Sequence, residues 1–246
     1  MKLLITGSDG FIGTELKNFL KKNGHRVTGT VFFKKPEKDE IHIDITDRED
    51  INKLPDSRFD AVIHTIGEVD QAASYRKMYK INIDGTRIIT EAAKKNGWPH
   101  LIHISSVAVY GFKTMGENRT EDLTKRSGNP FAISYMRTKA KAEKIVEVSG
   151  LDYTILRLPA IVGPNDNSLS PVVIPALVDG SFFLCGKKDK KSLLILTFSR
   201  FGAHYPDKKL HDRVPHSHPH SRKERVREVV ESYLDSLDTH ARNVFT

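Results

Sequence analysis

The sequence predicts an α/β protein built on a doubly wound parallel sheet, and three observations predict it. Short apolar segments alternate with longer stretches of helical spacing as far as residue 158, and strands alternating with helices form parallel sheets. Segments such as AVIHTI (61–66) and LIHISSVAVY (101–110) are apolar with little polar alternation, so both of their faces are expected to be covered. A glycine-rich turn follows directly on the first strand. Right-handed crossovers then wind the sheet in both directions, and ligands bind beyond the C-terminal ends of its strands.

The elements follow in order. Residues 2–6 form a short apolar strand running into glycine, and 11–22 carry Phe11, Ile12, Leu16, Phe19 and Leu20 at helical spacing before Gly24 stops them. Strands are expected at 25–33, 41–45 and 60–66, with a helix over 47–54. Helical spacing runs through 75–96 (Tyr79, Ile83, Ile88, Ile89, Ala92, Ala93). A strand at 101–110 is followed by a polar loop at 111–130, a helix at 131–149 and a strand at 154–158. After Pro175 the alternation is lost. At the end, Val226, Val229, Val230, Tyr233, Leu234 and Leu237 recur as one face of an amphipathic helix.

Composition narrows the function classes. The chain has 246 residues, 38 % of them hydrophobic, enough for one large domain or a domain with an appendage. No apolar run approaches the roughly 20 residues of a membrane span. The N-terminal apolar stretch is short and reads as a buried strand rather than a leader. A single cysteine, Cys185, excludes an internal disulfide and suits a reducing, cytoplasmic setting. Residues 187–246 hold thirteen Lys/Arg against eight Asp/Glu, a net +5 of the chain's +8. A solvated surface is the preferred reading of this tail over a nucleic-acid interface. The same region holds HDRVPHSHPH (211–220), but alternate histidines in a proline-broken loop do not fix a tetrahedral site, and no metal is expected.

Three stretches carry chemistry. In TGSDGFIG (6–13), Gly7, Gly10 and Gly13 stand between strand and helix, where a glycine turn lets backbone approach a pyrophosphate lying at a helix N-terminus. The second strand ends TVFFKKP without a carboxylate, followed by Lys34 and Lys35, which suits the 2′-phosphate of NADP better than the free ribose of NAD. Asp44 in HIDITD can face an adenine amino group or cap the next helix. In SYMRTK, Tyr135 and Lys139 sit one helical turn apart, on the same face. A tyrosine half in a core beside a solvated lysine is the alternative for that pair.

These stretches, with FDAVIHTIG (59–67), NIDGTRIITEAAKKNG (82–97), HISSVAVYG (103–111) and LDYTILRLPAIVGP (151–164), resemble the extended short-chain dehydrogenase/reductase family, its NAD(P)-dependent epimerase/dehydratase group. The resemblance covers residues 1–165 and implies a Rossmann-like dinucleotide-binding domain there. It implies Tyr135 as general acid/base, Lys139 lowering its pKa and holding the nicotinamide ribose, and Ser106 holding the substrate oxygen. Cofactor contacts are implied for Gly7, Gly10, Phe11, Ile12, Gly13, Asp44, Ile45, Thr65, Ile66, Gly67, Pro159 and Val162, besides Lys34, Lys35, Tyr135 and Lys139. Pro159–Val162 match a loop near the nicotinamide. Ile66 and Gly67 stand where the family often has two alanines. Asn82 is expected to be structural, and Lys141, Glu143 and Lys144 to be a solvated helix face. A homodimer through helices 75–96 and 131–149 and a small-molecule substrate, possibly a nucleotide sugar, are also implied.

Residues 166–246 depart from the resemblance. A reduced or divergent substrate region stands where members continue into a longer lobe; a shrunken lobe and a reading frame altered near residue 187 are the two explanations. The function expected is hydride transfer between nicotinamide and a carbonyl or alcohol carbon, as a reductase or an epimerase. A non-catalytic dinucleotide-binding redox sensor is the alternative.

Overall fold

The computed structural model describes residues 1–55, 58–111, 133–162, 166 and 195–197. Strands β1 (Lys2–Thr6), β2 (Arg26–Val31), β3 (Glu40–His42), β4 (Ala61–His64), β5 (His100–Ser106) and β6 (Asp152–Leu158) form one sheet in the order β3-β2-β1-β4-β5-β6. Every neighbouring pair is parallel. The order reverses between β1 and β4, so the strand ends at Thr6 and His64 open the crevice where doubly wound sheets hold ligands.

Both faces of the sheet are covered, as the uninterrupted apolar strands require. On one face, Leu16 and Leu20 of helix α1 (Phe11–Lys22) pack on Leu3, Ile5, Val27 and Ile63. On the other, Ile88, Ile89, Ala92 and Ala93 of α3 (Gly85–Lys95) join Leu4, Val62, Phe59 and Trp98. The Phe59 and Trp98 rings meet edge to face at 5.3 Å. Full burial of each large apolar side chain contributes roughly 1.5–3 kcal/mol.

Several boundaries differ from expectation, each for a local reason. The stretch expected as a helix at 47–54 forms only a 3₁₀ turn, Asp50–Lys53, because the Asp44 and Asp47 side chains accept backbone N–H groups of Thr46 and Glu49 in competing local turns. The segment expected as one helix over 75–96 is three pieces: α2 (Tyr75–Met78), a π-helical turn (Tyr79–Asp84) and α3. Strand β5 stops at Ser106, whose hydroxyl accepts the Ala108 N–H and starts a 3₁₀ turn at Val107–Tyr110. Helix α4 occupies Ser134–Glu147. Ala160–Val162, expected as a loop, is strand β7, paired in parallel with β8 (Ile195–Thr197), which lies where the strand–helix alternation of the sequence is lost. The loop at 111–130 (beyond Gly111), Cys185, the histidine cluster and the terminal amphipathic helix lie outside the described residues.

Among the described residues no helix is long and apolar enough to cross a membrane, and no group of three or more His, Cys, Asp or Glu is placed to hold a metal.

Candidate active site

The glycine turn is built by its neighbours. Gly7 has φ +75°, and a Cβ there would lie 2.8 Å from the Ile66 side chain, so only glycine fits without strain. A Cβ on Gly13 would stand 2.0 Å from the Gly7 carbonyl oxygen, so glycine there lets α1 pack directly on the turn. Thr65 Oγ1 donates to the Thr6 and Gly7 carbonyls, at 2.7 and 3.2 Å. Gly7 N–H donates to Thr30 Oγ1, and Ser8 donates its N–H and hydroxyl to the Thr30 carbonyl. The ends of β1, β2 and β4 are thereby one unit.

Helix α1 opens at Gly10 with no side-chain cap and no acidic residue in its first turn. An α-helix end of this kind presents N–H donors and positive potential. The cradle therefore suits a pyrophosphate; Phe11 and Ile12 open the helix, and Gly13 is buried against the turn.

At the other end of the crevice, the two serines of β5 part company. Both reach helix α4, at positions two turns apart. Ser105 is buried and donates to Glu143 Oε1, while Ser106 shares a hydrogen bond with the Tyr135 hydroxyl. Burial pushes the Tyr135 phenol above its usual range, and the bond with Ser106 opposes that push. Lys139, one turn on, is buried, donates to the Ile104 carbonyl at 3.0 Å, and lies so close to Gly67 that a Cβ there would be 2.8 Å from its Nζ. Burial pulls the Lys139 ammonium down to about 8, with the Glu143 carboxylate pushing the other way. The expected depression of the Tyr135 pKa by Lys139 is thus not what this site displays: desolvation dominates the phenol.

Two sequence readings need revision, Glu143 as a solvated residue and Lys34 as a free cation. Glu143, expected on a solvated face, is 0 % exposed. Its carboxylate takes two hydrogen bonds from Arg157 Nε and Nη2, at 3.0 and 2.9 Å, while Arg157 Nη1 donates to the Tyr110 hydroxyl at 2.6 Å. A buried carboxylate persists only when paired in this way. Lys141 and Lys144 are exposed as expected. Lys34 is not a free cation: its Nζ lies 2.8 Å from Glu37 and 2.9 Å from Glu40. Glu40 also takes Lys17, and although burial alone would push its carboxyl up, Lys17 and Lys34 hold it at about 2. Lys35 remains exposed. Ile45 puts its side chain in the core against Gly85, leaving only its main chain for a ligand. Asp44 uses Oδ1 on the Thr46 N–H and hydroxyl, both at 2.8 Å.

Asn82 has the structural role expected. From the π-helical turn it accepts the Glu68 N–H and donates to the Glu68 carbonyl and Thr138 Oγ1, tying the β4 exit to α4. Pro159 ends β6 beside Leu158, and Val162 ends β7. Two features passed unnoticed in the sequence. One is Asp9, whose Oδ2 accepts the N–H groups of Phe32 and Phe33 at 2.7 Å each. The other is His64, buried beneath the crevice between Thr6 Oγ1 and Thr86 Oγ1.

Burial first, then the Lys139 charge, holds the His64 imidazole down to about 3. The unfolded chain takes up this proton below about pH 6.5, the folded chain only near 3. The stability of neutral His64 is therefore complete above pH 6.5 and is lost as pH falls through that window. Between pH 7 and 5 the loss is about 2 kcal/mol. In urea titrations at those two pH values, His64→Gln is expected to lose about 2 kcal/mol less than the wild type on acidification; equal losses would refute the assignment.

Residues 3–190 match the sequence model of the NAD dependent epimerase/dehydratase family. The chain belongs to this family. Among curated relatives, it is 28 % identical to sterol demethylase protein B of Methylococcus capsulatus over 179 residues, 68 % of this chain and 53 % of that protein. It is 31 % identical to UDP-N-acetyl-alpha-D-glucosaminuronate decarboxylase of Bacillus cytotoxicus over 181 residues, 67 % of this chain and 56 % of the relative. The chain thus spans little more than half the length of these curated relatives. Among solved structures, WbmH of Bordetella bronchiseptica in complex with NAD+ superposes with a TM-score of 0.64 at 28 % identity, covering 73 % of this chain and 62 % of that one.

Proposed function

We propose that the chain is a nicotinamide-dependent oxidoreductase of the epimerase/dehydratase type, acting on an alcohol or carbonyl carbon of a nucleotide sugar, with NAD as its cofactor. The observation that carries this reading is the convergence of Ser106, Tyr135 and Lys139 at the ends of β4 and β5, across the crevice from an uncapped glycine-turn helix. Bound there, the dinucleotide would supply a hydride acceptor or donor at the nicotinamide. The α1 N-terminus with Gly7, Gly10 and Gly13 would hold its pyrophosphate, and Lys139 beside Gly67 its nicotinamide ribose.

The chain's own groups handle the proton. Ser106 donates to or accepts from the substrate oxygen and fixes it against the Tyr135 Oη. Tyr135 keeps its proton at neutral pH because burial disfavours the phenolate, which suits the acid direction, protonating an incipient alkoxide. In the reverse direction the Ser106 hydrogen bond stabilises the phenolate. Net reduction and transient oxidation use the same three residues. The nucleotide-sugar class is supported by relatives such as the Bacillus cytotoxicus decarboxylase.

The NADP preference suggested by Lys34 and Lys35 finds no support in the geometry, because Glu37 and Glu40 occupy Lys34, and the similar WbmH structure holds NAD+. A homodimer through the outer faces of α2–α3 and α4 is part of the proposal, as is a substrate region within 166–246.

Thermal unfolding with and without the dinucleotide tests the site. A ligand at 100 times its Kd stabilises the folded chain by about 2.7 kcal/mol, so saturating NADH is expected to raise the midpoint by roughly 5–10 °C. A cooperative transition that moves with neither NADH nor NADPH would end the enzyme reading.

A further inference from the structure

Dinucleotide sites of this topology place an acid at the end of the second strand to accept from the adenosine ribose. Here β2 ends at Val31 and continues into Phe32 and Phe33, 49 % and 85 % exposed, with no acid of its own. A carboxylate nevertheless stands at that tip. Asp9, immediately before the Gly10 cap of α1, reaches across from the glycine turn, and its Oδ2 accepts both the Phe32 and Phe33 N–H groups at 2.7 Å. Gly29 is part of the same construction, since a Cβ there would stand 2.2 Å from Ser8 Oγ and prise the turn from the strand. Two bonds to the main chain just beyond β2 therefore hold the carboxylate in place.

We infer that Asp9 is the ribose-reading carboxylate of this site, supplied by the glycine turn instead of by β2, and that it sets the preference for NAD over NADP. With Oδ2 committed to the amides, Oδ1 is left to accept from the adenosine 2′-hydroxyl. The same turn opens α1, so Asp9 stands beside the helix end that takes the pyrophosphate, on its β2 side. A 2′-phosphate, carrying about −1.5 to −2 charges at neutral pH, would meet that carboxylate directly. The cations nearby are partly spent: Lys17 pairs with Glu40, and Lys34 with Glu37 and Glu40, leaving exposed Lys35 and Lys38 as screened counterweights.

The inference rests on the dinucleotide reading above, and the test separates the two. Titrating the full chain with NADH and with NADPH, followed by nicotinamide fluorescence, gives both dissociation constants without a substrate. The wild type is expected to bind NADH at least about tenfold more tightly. Asp9→Asn keeps an oxygen for the two amides and removes the charge, and is expected to shrink the NADPH/NADH ratio of Kd values by about tenfold. If Asp9 served only to brace the turn, the variant would weaken both ligands alike. An unchanged ratio in Asp9→Asn, or a wild type that prefers NADPH, overturns the assignment while leaving a dinucleotide site in place. Binding of neither ligand removes both readings.

Discussion

Tyr135→Phe is expected to lower turnover of any UDP-sugar that the wild type accepts by about 10²–10⁴-fold, the range for removal of a positioned acid or base. Dinucleotide affinity should stay near the wild-type value, because the ring and its packing remain. The fold should lose only about 1 kcal/mol for the missing hydrogen bond to Ser106. The pair of readouts matters. Wild-type turnover in the variant would show that Tyr135 does not handle the proton. Lost dinucleotide binding would show that the residue shapes the site instead. A pH profile adds a sign. The Ser106 hydrogen bond opposes the burial that raises the Tyr135 pKa, so Ser106→Ala should move the basic limb governed by this phenol to higher pH. A shift to lower pH would mean that another group sets that limb.

The sheet was legible because its strands are buried on both faces and so spell themselves as apolar runs, and because the glycine turn falls between the first strand and helix. The π-helical turn was not legible: the apolar step within it, Tyr79 to Ile83, is the four residues of an ordinary α-helix. That Ser106 would meet Tyr135, with Lys139 one turn on, was legible through one-turn spacing and family resemblance together. The same spacing continues to Glu143, four residues beyond Lys139, so the stripe facing the sheet is Tyr135, Lys139 and Glu143. Glu143 was misread because its partner Arg157 is remote in sequence, on β6, and only the β5–β6 pairing brings Ser105 beside Arg157. Lys34 misled for the mirror reason. Its charge looked available until Glu40, six residues on at the start of β3, turned out to be buried beside it. Periodicity reports which face is apolar; it is silent on which buried charges neutralise one another.

Glu143→Gln tests that buried pairing and is expected to have the largest effect on stability of any change considered. Removing one partner of a buried pair strands the other charge, at a cost of about 3–5 kcal/mol. The lower end applies here, since the Arg157 side chain keeps 14 % of its surface exposed. Replacing both, as Glu143→Gln with Arg157→Met, should recover much of the loss, because no charge is then left unpaired. If the double variant is no better than the single, the pair is not the source of the effect. The site registers the same change. Burial pulls the Lys139 ammonium to about 8 and Glu143 pushes it back, so without the carboxylate it falls further and is less protonated at neutral pH. A lysine that holds the nicotinamide ribose as a cation would then release it at a lower pH. The pH at which dinucleotide binding weakens should move downward in Glu143→Gln. A uniform weakening across pH would assign Glu143 to the architecture alone. A displaced pH profile ties it, through Lys139, to the chemistry.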